Sequence, residues 1–199
     1  MSNFPRASSL AVWTAVAAVG VASVTACGGG ESVGDDQENF RGTTDGISRV
    51  PKGERRAPHE LKGKTLQGSQ LDLASFMGKV VVINAWGSWC APCRAEAPIF
   101  ARTAKDTKGK GVEFVGINTR ENNLKSALAF EEDAGIEYPS FYDPSGRLMM
   151  NGFPKGTLNL QALPSTVVLD RHGKIAARAL GSLSEKDLHK MIDPLIAEK

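Results

Sequence analysis

Two cysteines separated by two residues are the part of this sequence best suited to chemistry. Cys90 and Cys93 follow an apolar, β-branched run from Val80 that predicts a buried strand. Good helix formers come after them, so the pair lies where a strand passes into a helix. The partial positive charge and free N–H groups of a helix N-terminus favour a thiolate over a thiol. We therefore expect redox chemistry, with Cys90 as the exposed nucleophile and Cys93 as the resolving cysteine.

A structural disulfide and half of a zinc site are the alternatives for this pair. Zinc sites commonly use two such cysteine pairs, or one pair with two closely spaced histidines. The remaining cysteine and histidines are scattered along the chain at Cys27, His59, His172 and His189. The sequence therefore predicts no metal site and no bound cofactor, and the flanks of the cysteine pair favour redox chemistry.

The N-terminus has the pattern of an export signal. One basic residue, Arg6, precedes an apolar stretch over residues 10–24 that ends in small residues, which predicts a secretory signal over residues 1–26 rather than a spanning helix. The segment Val24-Thr25-Ala26-Cys27 resembles the bacterial lipoprotein box. That resemblance implies that Cys27 is lipidated and becomes the mature N-terminus; plain cleavage before it, leaving an exposed thiol, is the alternative.

The segment that follows the signal differs in composition from the rest of the chain. Residues 27–57 are polar, contain three consecutive glycines and have few large apolar residues, so we expect a flexible tether. Residues 58–199 carry enough apolar sequence for a core and are predicted to fold as one domain. The formal net charge is +2, and no basic block interleaves with aromatic residues, so nucleic-acid binding has no support.

The element pattern of the folded part predicts its class. Strand-like and helix-like segments alternate, and an antiparallel hairpin and a last helix follow them. This order indicates an α/β domain with a central mixed β-sheet flanked by helices. Pro98 should bend the helix that carries the cysteines. Residues 152–163 form a long irregular stretch, either functional or a surface excursion without a role.

Residues around the cysteines resemble the TlpA/ResA-like branch of the thioredoxin superfamily, which consists of membrane-tethered thiol-disulfide oxidoreductases outside the cytoplasm. The shared features are Gly78-Lys79-Val80-Val81, Trp86-x-x-Trp89-Cys90-x-Pro92-Cys93, Arg94-x-Glu96-x-Pro98 and Leu163-Pro164-Ser165-Thr166. The resemblance covers roughly residues 57–197 and implies a thioredoxin-like fold. It also implies that disulfide exchange takes place outside the cytoplasm, where conditions permit disulfides.

Several site roles follow from this resemblance. Pro164 corresponds to the family's cis-proline, which packs beside the disulfide and presents backbone to an extended substrate. Glu96 corresponds to an acidic residue that assists proton transfer; an ordinary exposed helix carboxylate is the alternative. We expect three residues to contact substrate: Trp89, Pro92 and Leu163. Trp89 should also shield the disulfide.

One residue departs from the wider superfamily. Many thioredoxins carry a buried aspartate on the strand before the motif, where it accepts the proton of the resolving cysteine. Asn84 stands at that position here and cannot titrate. Proton transfer from Cys93 would then need Glu96 or water.

The resemblance favours a reductant of protein disulfides, with apocytochrome c as one possible substrate. It implies a thiol-disulfide electron donor in the membrane and a lipid-anchored location on the extracytoplasmic face. An oxidant or isomerase of secreted proteins is an alternative within the class. A copper chaperone on the same fold is an alternative outside it, although such proteins typically use C-x-x-x-C with a distal histidine. A thiol peroxidase and a purely structural envelope protein are less well supported.

Overall fold

A computed structural model describes residues 39–42 and 44–198. The predicted signal and Cys27 lie outside the described residues. Within the described ranges the strands are β1 Ile47–Arg49, β2 Lys62–Lys64, β3 Gln70–Asp72, β4 Val80–Trp86, β5 Val112–Thr119, β6 Ser140–Asp143, β7 Ser165–Leu169 and β8 Ile175–Leu180. The α-helices are α1 Ala91–Thr107, α2 Leu124–Ala134, α3 Arg147–Asn151 and α4 Glu185–Ala197.

Six of these strands form one mixed sheet in the order β1-β8-β7-β4-β5-β6. Strands β4, β5 and β6 run parallel, because helical crossovers connect them, whereas β7 and β8 form an antiparallel hairpin beside β4. The strands β2 and β3 form a separate two-stranded hairpin. The mixed α/β sheet predicted from the element pattern is confirmed.

Strand β4 is buried on both faces, which explains its almost continuous apolar sequence. Its side chains alternate: Val80 and Val82 join a core cluster with α1 and α4, while Val81 and Ile83 join a second cluster on the opposite face. Asn84 continues the first set and is the only polar side chain in this strand.

The helix termini follow local chemistry. The side chain of Ser184 caps α4 by accepting a hydrogen bond from the amide of Asp187, and Gly135 ends α2 in the left-handed conformation. Helix α1 continues through Pro98, which lies inside it and is exposed. A proline cannot donate the backbone hydrogen bond that the preceding turn would accept.

The folded domain begins earlier than the sequence predicted. Strand β1 lies inside the predicted tether and pairs antiparallel with β8, and Ile47 and Val50 are buried. The guanidinium of Arg55 forms ion pairs with Asp170 at 3.1 Å and Glu198 at 2.7 Å. The prediction of a flexible segment up to residue 57 is therefore wrong for this part. A three-residue strand shows no recognisable period, and β8 rather than its own sequence makes it a strand.

No helix within the described ranges is both long enough and apolar enough to cross a membrane.

Candidate active site

The predicted site residues meet at one end of the central sheet. Strands β4 and β5 are parallel and both end there, and β7 begins there because it runs antiparallel to β4, with Ala85 opposite Ser165. Residues immediately after β4 and β5 and immediately before β7 therefore lie together at this end of the sheet. This places the cysteine turn near Pro164, although 70 residues separate them in the chain.

Cys90 and Cys93 form a disulfide, with their Cα atoms 5.2 Å apart. Cys90 is the N-cap of α1, and its sulfur accepts a hydrogen bond from the amide of Cys93 at 3.3 Å. This amide would stabilise a thiolate on Cys90 in the same way. Cys90 is 5% exposed and Cys93 is 1% exposed. The expectation of an exposed Cys90 is corrected to a nearly buried one, because both cysteines belong to one buried apolar cluster that also contains Trp86 and Phe130.

The residues predicted to contact substrate differ in how far they are exposed around this disulfide. The Leu163–Pro164 bond is cis, as the family resemblance implies, and Pro164 is buried. Leu163 packs against the cluster that holds both cysteines. Pro92 is exposed, and Trp89 is 50% exposed. The structure therefore places the apolar side chain of Leu163 and the exposed rings of Trp89 and Pro92 beside the disulfide. Their contact with substrate stays a prediction.

Glu96 lies one turn beyond Cys93 on α1 and is 2% exposed, so it is not the ordinary surface carboxylate that was the alternative. Its Oε1 accepts a hydrogen bond from Nδ2 of Asn84 at 2.9 Å, and its Oε2 accepts one from the amide of Leu183 at 2.9 Å. Burial outweighs these two donors and raises the pKa of the Glu96 carboxyl to about 7. A carboxyl group with this pKa can both accept and release a proton near neutral pH.

Asn84 is connected directly to this carboxyl. Its amide nitrogen also donates to Oγ1 of Thr166 at 3.3 Å. Strands β4 and β7 place Asn84 opposite Thr166, so the amide reaches both α1 and the neighbouring strand. The acid beneath the cysteines is thus carried by the helix, and Asn84 orients it.

Sequence reasoning missed two residues that follow β5, Arg120 and Glu121. The buried carboxylate of Glu121 accepts hydrogen bonds from both the amide, at 3.0 Å, and the hydroxyl of Ser88, two residues before Cys90. The indole nitrogen of Trp89 donates to the carbonyl of Arg120 at 3.0 Å. Their signal in the sequence was their place at the end of a strand parallel to β4.

Within residues 39–42 and 44–198, no group of three or more histidine, cysteine, aspartate or glutamate side chains is arranged to hold a metal ion.

One curated relative is the thiol-disulfide oxidoreductase ResA of Bacillus subtilis strain 168. The two chains are 30% identical over 122 residues, which is 61% of this chain and 64% of the relative. The match thus spans slightly less than two thirds of that protein.

Solved structures agree over a larger share of the chain. A DsbF homologue from Corynebacterium diphtheriae is 34% identical, with a TM-score of 0.71 over 80% of this chain and 99% of that one. A secreted thiol-disulfide isomerase from Corynebacterium glutamicum is 31% identical, with a TM-score of 0.72 over 79% of this chain and 97% of that one. These neighbours confirm the predicted thioredoxin-like fold.

The family model named Redoxin matches residues 47–192, a range that begins at β1 and ends within α4. It includes the cysteine pair, the buried carboxyl and the cis-proline. This chain belongs to the Redoxin family.

Proposed function

We propose that this chain is an extracytoplasmic thiol-disulfide oxidoreductase that reduces protein disulfides. The observation that carries the proposal is the Cys90–Cys93 disulfide at the start of α1, with the Glu96 carboxyl buried one turn further along the helix. The relatives and structural neighbours named above as oxidoreductase and isomerase support the reaction class.

The reaction begins from the reduced dithiol. The Cys90 thiolate attacks one sulfur of a substrate disulfide, which forms a mixed disulfide and releases the first substrate thiolate. Cys93 gives up its proton and attacks the Cys90 sulfur, which releases the second substrate thiolate and closes the Cys90–Cys93 disulfide. Two electrons pass to the substrate, so an external dithiol donor must reduce the protein before the next cycle.

Glu96 is the group proposed to accept the Cys93 proton. The two residues lie three positions apart on α1, which places both side chains on the same helix face, and both are buried. Hydrogen bonds from Asn84 and Leu183 hold the Glu96 carboxyl in place. Pro164, Leu163, Trp89 and Pro92 are proposed to receive the substrate polypeptide beside the disulfide.

The remaining parts of the proposal concern location and partners. Lipidation of Cys27 would anchor the protein to the outer face of the cell membrane, where a membrane thiol-disulfide donor would reduce it. The description of the C. glutamicum neighbour as secreted supports an extracytoplasmic location. Apocytochrome c, whose haem-attachment site is itself a C-x-x-C pair, is a candidate substrate.

Substitution of the two cysteines tests the reaction. Cys90→Ser is expected to lose disulfide exchange with a protein substrate, because the attacking thiolate is absent. Cys93→Ser is expected to accumulate a mixed disulfide through Cys90, visible by non-reducing electrophoresis and identifiable by mass spectrometry. Retained exchange in Cys90→Ser would contradict the proposal.

The reduction potential decides the direction of electron flow. Equilibration with glutathione should give a value near that of thioredoxin, about −270 mV, if the protein is a reductant. A value near that of DsbA, about −120 mV, would instead support an oxidant or isomerase of secreted proteins. The structural similarity to the C. glutamicum isomerase is the observation that favours this second candidate.

A further inference from the structure

Arg120 has the single positive φ among the described non-glycine residues, at 53°. Side chains other than glycine's disfavour this left-handed conformation, and it persists where surrounding contacts impose it. The residue directly follows β5, at the sheet edge that carries the cysteine turn. Its amide donates to the carbonyl of Asp143 at 3.3 Å, and its carbonyl accepts the Trp89 indole N–H at 3.0 Å. The unusual backbone conformation thus serves both contacts.

The Arg120 side chain contacts the same tryptophan from another direction. Its guanidinium carbon lies 5.1 Å from the centroid of the Trp89 ring, within the range of a cation–π interaction. The same guanidinium donates through Nη1 to the carbonyl of Leu160 at 2.9 Å. One residue therefore holds Trp89 by backbone and side chain, and holds the irregular 152–163 loop as well.

The position of Trp89 depends on a glycine beneath it. A Cβ on Gly87 would lie 2.7 Å from the indole nitrogen, so the ring occupies space that any larger residue would take. Trp89 nevertheless remains 50% exposed to solvent. Trp89 is consequently held by its neighbours while half of its surface stays accessible.

The two segments joined by Arg120 are the two that lead to the disulfide. Trp89 immediately precedes Cys90, and Leu160 precedes Leu163, which packs against the cysteine cluster, and the cis-proline Pro164. A protein disulfide presented on an extended polypeptide would have to contact both segments. A small disulfide needs only the Cys90 sulfur.

We propose that Arg120 is a positioning residue that sets Trp89 and the 160–163 segment for binding of an extended polypeptide around the substrate disulfide. This inference rests on the proposed function, and it deepens it by assigning substrate selection to a residue outside the cysteine motif. Segments that are already in place when the substrate arrives lose less conformational entropy on binding. Loss of the Arg120 contacts therefore weakens binding of a polypeptide and leaves the reaction at the Cys90 sulfur unchanged.

The test compares Arg120→Ala and Arg120→Gly with wild type in the full chain. The glycine variant relieves the positive φ, so it separates the side-chain contacts from backbone strain. Insulin, the polypeptide disulfide, is reduced catalytically with dithiothreitol as the electron donor, and dithiobis-nitrobenzoate, the small disulfide, is reacted with pre-reduced protein in a single turnover. Both variants should lose about tenfold in kcat/KM for insulin, mainly through KM, which corresponds to about 1.4 kcal/mol. The rate with the small disulfide and the equilibrium constant with glutathione should stay within about twofold of wild type.

Lys125→Ala is the matched control, because this exposed cation lies on the first turn of the neighbouring helix α2. If it reproduced the Arg120→Ala loss, general charge attraction would explain the effect and the inference would be wrong. Equal loss on both disulfides, or no loss on insulin, would also overturn it.

Fluorescence provides a readout that does not depend on activity. The Trp89 emission, taken as wild type minus Trp89→Phe, should become more accessible to acrylamide in both Arg120 variants. Unchanged quenching would overturn the inference. A wild-type chain inactive on both disulfides would contradict the proposed function, and quenching would then still decide whether Arg120 holds Trp89.

Discussion

At the scale of single residues, the buried carboxyl of Glu96 is the group that most sharply distinguishes this site. Its two hydrogen-bond donors come from β4 and from the segment before α4. Both donors favour the charged form, yet burial has the larger effect and the pKa is about 7. The carboxyl therefore changes its charge within the pH range in which the proposed exchange would operate.

This raised pKa makes stability depend on pH in a defined direction. The unfolded chain releases this proton near pH 4.5, whereas the folded protein retains it up to about pH 7. Between these values the folded state binds more protons, so the free energy of unfolding falls as pH rises. The contribution is fully present below pH 4.5 and is lost above pH 7, by about 3 kcal/mol in total.

Glu96→Gln is expected to remove this part of the pH dependence, because glutamine does not titrate. Urea unfolding of the oxidised protein from pH 4 to pH 8 measures it, as the difference between the two stability curves. Glu132→Gln, on the exposed side of α2, is the surface control and should follow wild type. Parallel curves for Glu96→Gln and wild type would contradict the assignment.

At the scale of elements, the 152–163 loop is the part whose role the sequence left open. Two arginines from different elements bind its main chain. Arg178 of β8 donates to the carbonyl of Thr157 at 3.2 Å, and Arg120 donates to that of Leu160. The Arg178 guanidinium also lies 4.1 Å from the ring centroid of Phe40. The loop is irregular in conformation but held at two points, as the proposed substrate-binding role of its 160–163 segment requires.

Arg178→Ala is expected to release one of these points. The hydrogen bond to the loop is worth about 1 kcal/mol, so local opening should increase about fivefold. Lys155 is exposed on this loop, and tryptic cleavage after it, followed by mass spectrometry, reports the opening. The expected result is faster cleavage with little change in global unfolding.

Arg171→Ala is the matched control for this measurement. Its guanidinium also donates to main-chain carbonyls, those of Gly78 and Ile196, but at the other end of the sheet. It should leave cleavage after Lys155 unchanged. Equal cleavage rates in Arg178→Ala and wild type would show that Arg178 does not hold the loop.

At the scale of the whole molecule, the described N-terminal residues belong to the folded domain. Ile47 and Val50 are buried, and β1 extends the six-stranded sheet at its edge. Arg55 connects this segment to both the end of β7 and the end of α4 through Asp170 and Glu198. The side chains of Arg55 and Asp170 are 7% and 6% exposed, so removal of the arginine would leave a buried carboxylate without its cation.

A chain that starts at residue 58, the domain boundary predicted from sequence, should therefore be much less stable than one that starts at residue 39. Burial of Ile47 and Val50 contributes about 1.5–3 kcal/mol each, and an unpaired buried charge costs about 3–5 kcal/mol. We expect the free energy of unfolding to fall by about 5 kcal/mol or more, a large share of the stability of an ordinary domain. Urea unfolding of the two chains, monitored by far-UV circular dichroism, measures this difference. Coincident midpoints would refute the prediction.

Local sequence was sufficient where local chemistry determines structure. The β-branched run of β4, the cysteine pair at a helix start, the cap at Ser184 and the stop at Gly135 were predictable, because each depends on neighbouring residues. Family resemblance added the cis bond before Pro164, which composition and spacing cannot show.

The tertiary structure decided the rest. Whether Glu96 was a surface or a buried carboxylate depended on Asn84 and Leu183, which are 12 and 87 residues away in the chain. Arg120 reached Trp89 only because β4 and β5 end at the same edge, and β1 became a strand only against β8. The sequence by itself determined a cysteine pair at a helix N-terminus in an α/β domain, and it predicted redox chemistry for that pair. Folding determined the burial of the Glu96 carboxyl and the contacts that hold Trp89, because burial and long-range hydrogen bonds exist only after the strands have been brought together.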